Sequence, residues 1–169
     1  EICDQYGVLL IFDEVMCGMG RTGALFAGDV DGVTPDIVAI AKGLGAGYQP
    51  IGAMLCQDYI HDAIEHGSGF FQHGHTYLGH PIAAAAANAV LDRLVVDGLV
   101  DDVAQKGEYL KLQLKAKLGQ HPHIGNIRGR GLFIGIEFVA SQDDKTPFDP
   151  ALNVAGNLKK NAFQSGLVC

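Results

Sequence analysis

The apolar residues fall in short unbroken runs early in the chain and in helical stripes later. Val8 to Phe12 (VLLIF) and Ile37 to Ala41 (IVAIA) are continuous runs, the pattern of strands covered on both faces. The 24 residues between them, 13 to 36, are enough for a crossover between parallel strands. A third run, Gly52 to Cys56 (GAMLC), follows after only ten residues, 42 to 51. That link is too short for a crossover, so the third strand is expected antiparallel, at a sheet edge. Downstream, GHPIAAAAANAVLDRLV has Pro81 in its first turn and an alanine-rich body, and predicts a closely packed helix. DDVAQKGEYLKLQLKAKLG predicts another, with acids first, lysines last, Gly119 as a stop and an apolar stripe of Val103, Leu110, Leu114 and Leu118. A strand is expected over 131–139. Asp149-Pro150 then caps a last helix with Leu152, Ala155 and Leu158 on one face and Gly166 at its end.

These elements predict an α/β chain whose character shifts near residues 98–102. Residues 1–98 read as a glycine-rich α/β part with a mainly parallel sheet and an antiparallel edge strand. Residues 99–169 read as the start of a smaller α+β part. The opening EICDQYG resembles the last turn of a helix and the closing GLVC the first residues of a strand, so the chain reads as a piece cut at both ends.

Composition narrows the picture. Hydrophobic residues make up 48% of the chain, ample for a core, and 23 of the 169 residues are glycine, which implies many tight turns. A net charge of −7 argues against general affinity for nucleic acid or an anionic membrane. The apolar runs fall well short of the roughly 20 residues that span a bilayer. Cys3, Cys17, Cys56 and Cys169 form no CxxC pair, so reduced thiols in a cytoplasmic protein are expected.

Candidate chemistry lies at the strand ends. Asp13 directly follows the first run and Lys42 the second. If the strands are parallel, both emerge at one carboxyl edge, where open α/β sheets bind ligands. An acid and an amine delivered to one edge suit pyridoxal phosphate, whose aldehyde takes the lysine and whose protonated pyridine nitrogen takes the acid. A free lysine amine, with a pKa of about 10.4, is a poor nucleophile at neutral pH, and burial beside the ring disfavours its charged form. Taken alone, Asp13 has a plainer reading as a cap or loop ion pair, and Lys42 as a solvated side chain.

Four stretches, DEVMCGMGRTG, PDIVAIAKGLGAGYQPIGA, HGHTYLGHP and RGRGLFIGIE, together resemble the class III pyridoxal-phosphate aminotransferases, the omega-amino-acid transaminase group. The resemblance covers nearly the whole chain and implies fold type I, a homodimer and a transferase. It makes Lys42 the Schiff-base lysine and Asp13 the partner of the pyridine nitrogen. Val15 would pack on the ring, and Thr76 would hydrogen-bond the cofactor phosphate across the dimer interface. The parent enzyme would move an amino group from an amine or omega-amino acid to a 2-oxo acid. Related chemistries, an aminomutase or a decarboxylating transaminase, share the lysine and the fold. Met16 stands where many members carry Gln, and its thioether cannot supply the polar contact to the cofactor's phenolic oxygen. The phosphate loop, the stacking aromatic and the carboxylate-binding arginine find no match among the 169 residues. These residues alone are expected to be inert, or to act as a non-catalytic interaction piece.

Other signals are weaker. His73, His75 and His80 have loose spacing for a metal and no neighbouring acid or Cys, so no metal is expected. GRGLFIG leads into a strand rather than from strand to helix, which disfavours a dinucleotide site. GMGRTG lacks a P-loop ending, and Arg21, Arg128 and Arg130 read as structural. Gly43, Gly45 and Gly47 are expected to let the backbone turn tightly after Lys42.

Overall fold

The computed structural model describes residues 1–168. They divide into two compact units: Glu1–Lys106 with Gly131–Phe133, and Gly107–Arg130 with the residues from Ile134 on.

The first unit opens with helix α1 (Ile2–Tyr6), closed by Gly7 in the left-handed conformation. Strands β1 (Ile11–Asp13), β2 (Ile37–Ile40) and β3 (Ala53–Cys56) form one sheet in that order. β1 and β2 are parallel, pairing Ile11 with Ile37 and Asp13 with Ala39. β3 is antiparallel to β2 and lies at the edge, as the short link requires.

The first apolar run departs from expectation. Only its last two residues join β1, and Val8 and Leu9 are exposed, as is Ile11. Continuous apolar strands are buried on both faces only when layers cover the sheet. β1 has a strand neighbour on one side alone among the described residues.

Asp36 clasps the start of the sheet. Its carboxylate accepts the Leu10 N–H at 2.5 Å and the Tyr59 hydroxyl at 2.5 Å. Its carbonyl accepts the Gln57 N–H. The Leu10 N–H, then the Tyr59 hydroxyl, hold the Asp36 carboxyl below its usual range, because both donors favour the charged form. Tyr59 is pushed up to about 12, chiefly by its hydrogen bond to Asp36. Tyr59 belongs to helix α2 (Asp58–His66), which the apolar pattern does not predict, since only Ile60 and Ile64 are apolar and half-buried at helical spacing.

Helix α3 (Pro81–Val95) starts as expected, with Pro81 in its first turn and the His80 ring accepting the Ala83 N–H at 3.4 Å. Ala83 and Ala87 are buried. Small side chains there let the helix approach the turn that follows β2. The core of this unit is Met19, Ile40, Leu44 and Ala87, with Leu91, Leu94 and Phe26 packed against it.

Helix α4 (Leu99–Leu118) begins in the first unit and ends in the second. Of its expected stripe, Val103, Leu114 and Leu118 are half-buried, but Leu110 is exposed. β4 (Ile124–Arg130) pairs with β5 (Phe133–Phe138), and apart from Phe133 both strands belong to the second unit. β5 lies within the expected strand, whereas β4 has no apolar run to announce it. Ile124, Ile127 and Val139 are buried there, and Arg128 pairs with Glu137 at 3.4 Å.

The last helix also differs from the sequence pattern. Asp149 caps only a 3-10 turn, Pro150–Leu152, and Asn153 then breaks the backbone with φ 43°. Helix α5 (Val154–Gln164) starts after that break, so Leu152 lies outside it. Gly166 follows with φ 85°. Leu167 and Val168 form no strand, and Cys169 lies outside the described residues.

Candidate active site

A strand's side chains alternate between faces, so two acids in succession at a strand end point opposite ways. Asp13 and Glu14 follow this rule. Asp13 ends β1 and is exposed. Its Oδ1 accepts the Val15 N–H at 3.1 Å, which orients the carboxylate locally. Glu14 turns inward and is only 3% exposed. Its two carboxylate oxygens accept the Ala27 N–H at 2.7 Å and the Gly28 N–H at 2.9 Å. Those donors open a 3-10 turn, Ala27–Asp31, so Glu14 clamps the glycine-rich loop to the sheet.

Sequence reasoning missed this clamp. The available signal was the alternation rule itself, which leaves only one of the two acids free to face a ligand. Glu14→Ala strands two backbone donors, each costing about 1–3 kcal/mol. The expected loss is about 3 kcal/mol in chemical denaturation of the full-length protein, and Glu14→Gln should recover part of it because its amide oxygen still accepts.

Lys42 begins the 3-10 turn Lys42–Leu44, with Ala41 between it and β2. Its φ is 41°, a left-handed conformation uncommon for a residue with a side chain. Because β1 and β2 are parallel, with Asp13 opposite Ala39, the acid and the lysine leave the sheet at the same carboxyl edge. Lys42 is exposed and lines an open cavity of about 900 Å³ with Met19, Arg21, Gln49 and Pro50. Asp13 is at this edge but does not line that cavity.

Val15 is half-buried beside Asp13. Thr76 is exposed in the turn 76–79, within a segment where Phe70, Phe71, Tyr77 and Leu78 are exposed as well. It lines no cavity with Lys42, although its neighbours His75 and Tyr77 share a second cavity with Gln49 and Pro50. The strand pairing puts Asp13, Val15 and Lys42 along one edge, and Thr76 lies on the separate turn 76–79. Met16 is exposed. Cys17 has its thiol pushed up by burial and by the Glu14 charge, which favours the unreactive neutral form.

His73 and His75 pack ring to ring, 4.9 Å between centroids, and form no metal-like group with His80 among the described residues. The only cluster there with ligand atoms close enough together is His61, Asp62 and Glu65, all exposed.

A parallel pair of strands offering an acid and an amine at one edge is an arrangement suited to an aldehyde-bearing, ring-nitrogen cofactor. The chain belongs to the class-III aminotransferase family, whose model matches residues 1–169. It is 50% identical to an aminotransferase of Gibberella zeae over 163 residues, 96% of this chain and 32% of that protein. Among solved structures it matches a thermostable (S)-enantioselective omega-transaminase from Thermomicrobium roseum with a TM-score of 0.93 and 39% identity, over 99% of this chain and 37% of that one. An amine transaminase from an uncultivated Pseudomonas species, solved with pyridoxal phosphate bound, matches with a TM-score of 0.93 and 40% identity, over 99% of this chain and 38% of that one. The chain thus spans about a third of the length of the curated relatives it matches. Its fold is part of a fold-type-I α/β domain.

Proposed function

We propose that the full-length protein moves an amino group from an amine or omega-amino acid to a 2-oxo acid, using pyridoxal phosphate. The observation that carries this reading is the delivery of Asp13 and Lys42 to one carboxyl edge by adjacent parallel strands. The donor set fits the cofactor: one amine for its aldehyde and one carboxylate for its ring nitrogen. When bound, the cofactor supplies an electron sink that stabilises negative charge at the substrate carbon.

The residues of this chain then have distinct tasks. The Lys42 amine would hold the cofactor through its aldehyde and, as a free amine, would carry the proton to and from the substrate carbon. The Asp13 carboxylate keeps the ring nitrogen protonated, since an opposite charge nearby favours the cationic form. Val15 packs on the ring. Thr76 donates its hydroxyl to the phosphate of a second copy's site, a role supported by its exposed turn among exposed aromatic residues. Residues 1–98 form the later half of the cofactor-binding domain, and residues 99–169 open the small one. Among the described residues no helix is long and apolar enough to cross a membrane.

The test uses the full-length protein with pyridoxal phosphate. Borohydride reduction should leave the cofactor mass on the peptide that contains Lys42. Incubation with an amine donor and pyruvate should yield alanine and the matching carbonyl product. Rearranged amine without alanine would indicate an aminomutase, and carbon dioxide release a decarboxylating transaminase. Cofactor mass on a peptide lacking Lys42 would overturn the assignment.

A further inference from the structure

Two of the residues with side chains in left-handed backbone, Met19 and Lys42, lie on separate loops that touch beside Lys42. Met19 has φ 56° and Lys42 has φ 41°. Such conformations persist only where the surroundings over-determine them. The contact between the loops runs through Gly43. A Cβ added there would lie 2.7 Å from the Met19 Cβ and 3.5 Å from its Cγ, well short of the 3.4 Å at which ordinary contact begins for the nearer atom. Gly43 is not among the left-handed glycines, so it is needed here for space rather than for backbone freedom. Because the Met19 Cβ sits one bond from its backbone, it cannot swing aside as the tip of a flexible chain would.

Met19 is itself anchored. It is 6% exposed and packs in the core with Ile40, Leu44 and Ala87; Ile40 ends the strand before the Lys42 turn and Leu44 is the last residue of that turn. The loop carrying it is held through Glu14, whose carbonyl accepts the Gly18 N–H at 2.9 Å. Met19 and Lys42 also line the same cavity.

We propose that Met19 is a positioning residue for Lys42: its Cβ, seated against Gly43, holds the turn that aims the Lys42 amine. This rests on Lys42 being the amine that holds the cofactor. The test measures how fast cofactor-free full-length protein captures pyridoxal phosphate on Lys42, trapped by borohydride and located by peptide mass. Gly43→Ala should slow capture about a hundredfold, the effect of misplacing a reacting group by about 1 Å. In turnover, kcat should fall while the KM for the amine donor stays unchanged.

The second site discriminates position from stability. Adding Met19→Gly removes the obstructing Cβ at a residue whose φ already suits glycine, and should restore capture in Gly43→Ala. Adding Met19→Ala keeps the Cβ and should leave capture slow, although both substitutions remove the buried thioether. If Gly43→Ala does not fold, the single variants decide. Met19→Gly should then slow capture more than Met19→Ala, because only it frees the turn.

Capture by Gly43→Ala at the wild-type rate, or equal recovery in both double variants, overturns the positioning role. So does equal capture by the two single variants. Trapping on another residue in the wild-type protein would instead refute the assignment of Lys42, an outcome distinct from normal trapping with an indifferent Gly43→Ala.

Discussion

Lys42→Ala in the full-length protein lowers kcat/KM for amino transfer by about four orders of magnitude or more, the scale on which loss of a covalent nucleophile is felt. The substitution isolates the amine. Alanine and lysine both carry a Cβ, so the backbone at φ 41° is no more strained than before. The turn, the cavity wall and the sheet edge therefore remain in place. Steady-state kinetics with an amine donor and pyruvate checks the loss. Added methylamine should restore a small fraction of the rate, because a free amine can enter the cavity and carry the proton. A variant that kept more than a tenth of the wild-type rate would remove Lys42 from the chemistry.

Asp13→Asn lowers kcat by about 10²- to 10³-fold, the usual cost of losing one aimed electrostatic contact. The amide has nearly the shape of the carboxylate, and its oxygen can still accept the Val15 N–H now held by Asp13 Oδ1. What disappears is the negative charge that favours a protonated ring nitrogen. Because Asp13 is exposed and keeps its local hydrogen bond, the melting temperature should hardly move. The opposite pattern, a lower melting temperature with unchanged kinetics, would make Asp13 a loop clamp. That role belongs in this structure to its neighbour Glu14.

The legible parts of the fold were those governed by local chemistry. The run IVAIA ends where β2 ends to within a residue, because apolar content and the strand stop together. The antiparallel edge strand followed from chain length alone, since ten residues cannot carry a crossover. Pro81 marked the start of α3 because its fixed φ and missing N–H suit a first helical turn. The elements missed had no such local signature. β4 reads IGNIRGR, with Ile124 and Ile127 buried but no apolar run, and it is a strand through its pairing with β5. The 3-10 turn before α5 depends on a left-handed Asn153, which the cap at Asp149 conceals.

The candidate site divides along the same line. By itself, the order of residues determined that an acid and a lysine each follow an apolar strand, because covalent sequence dictates what comes off a strand's end. Only the tertiary structure decided that the strands run parallel and deliver both groups to one edge. It also decided that Glu14 turns inward to clamp a loop, and that Met19 meets Gly43. Those outcomes depend on contacts between segments distant along the chain, where direction and distance are set by packing.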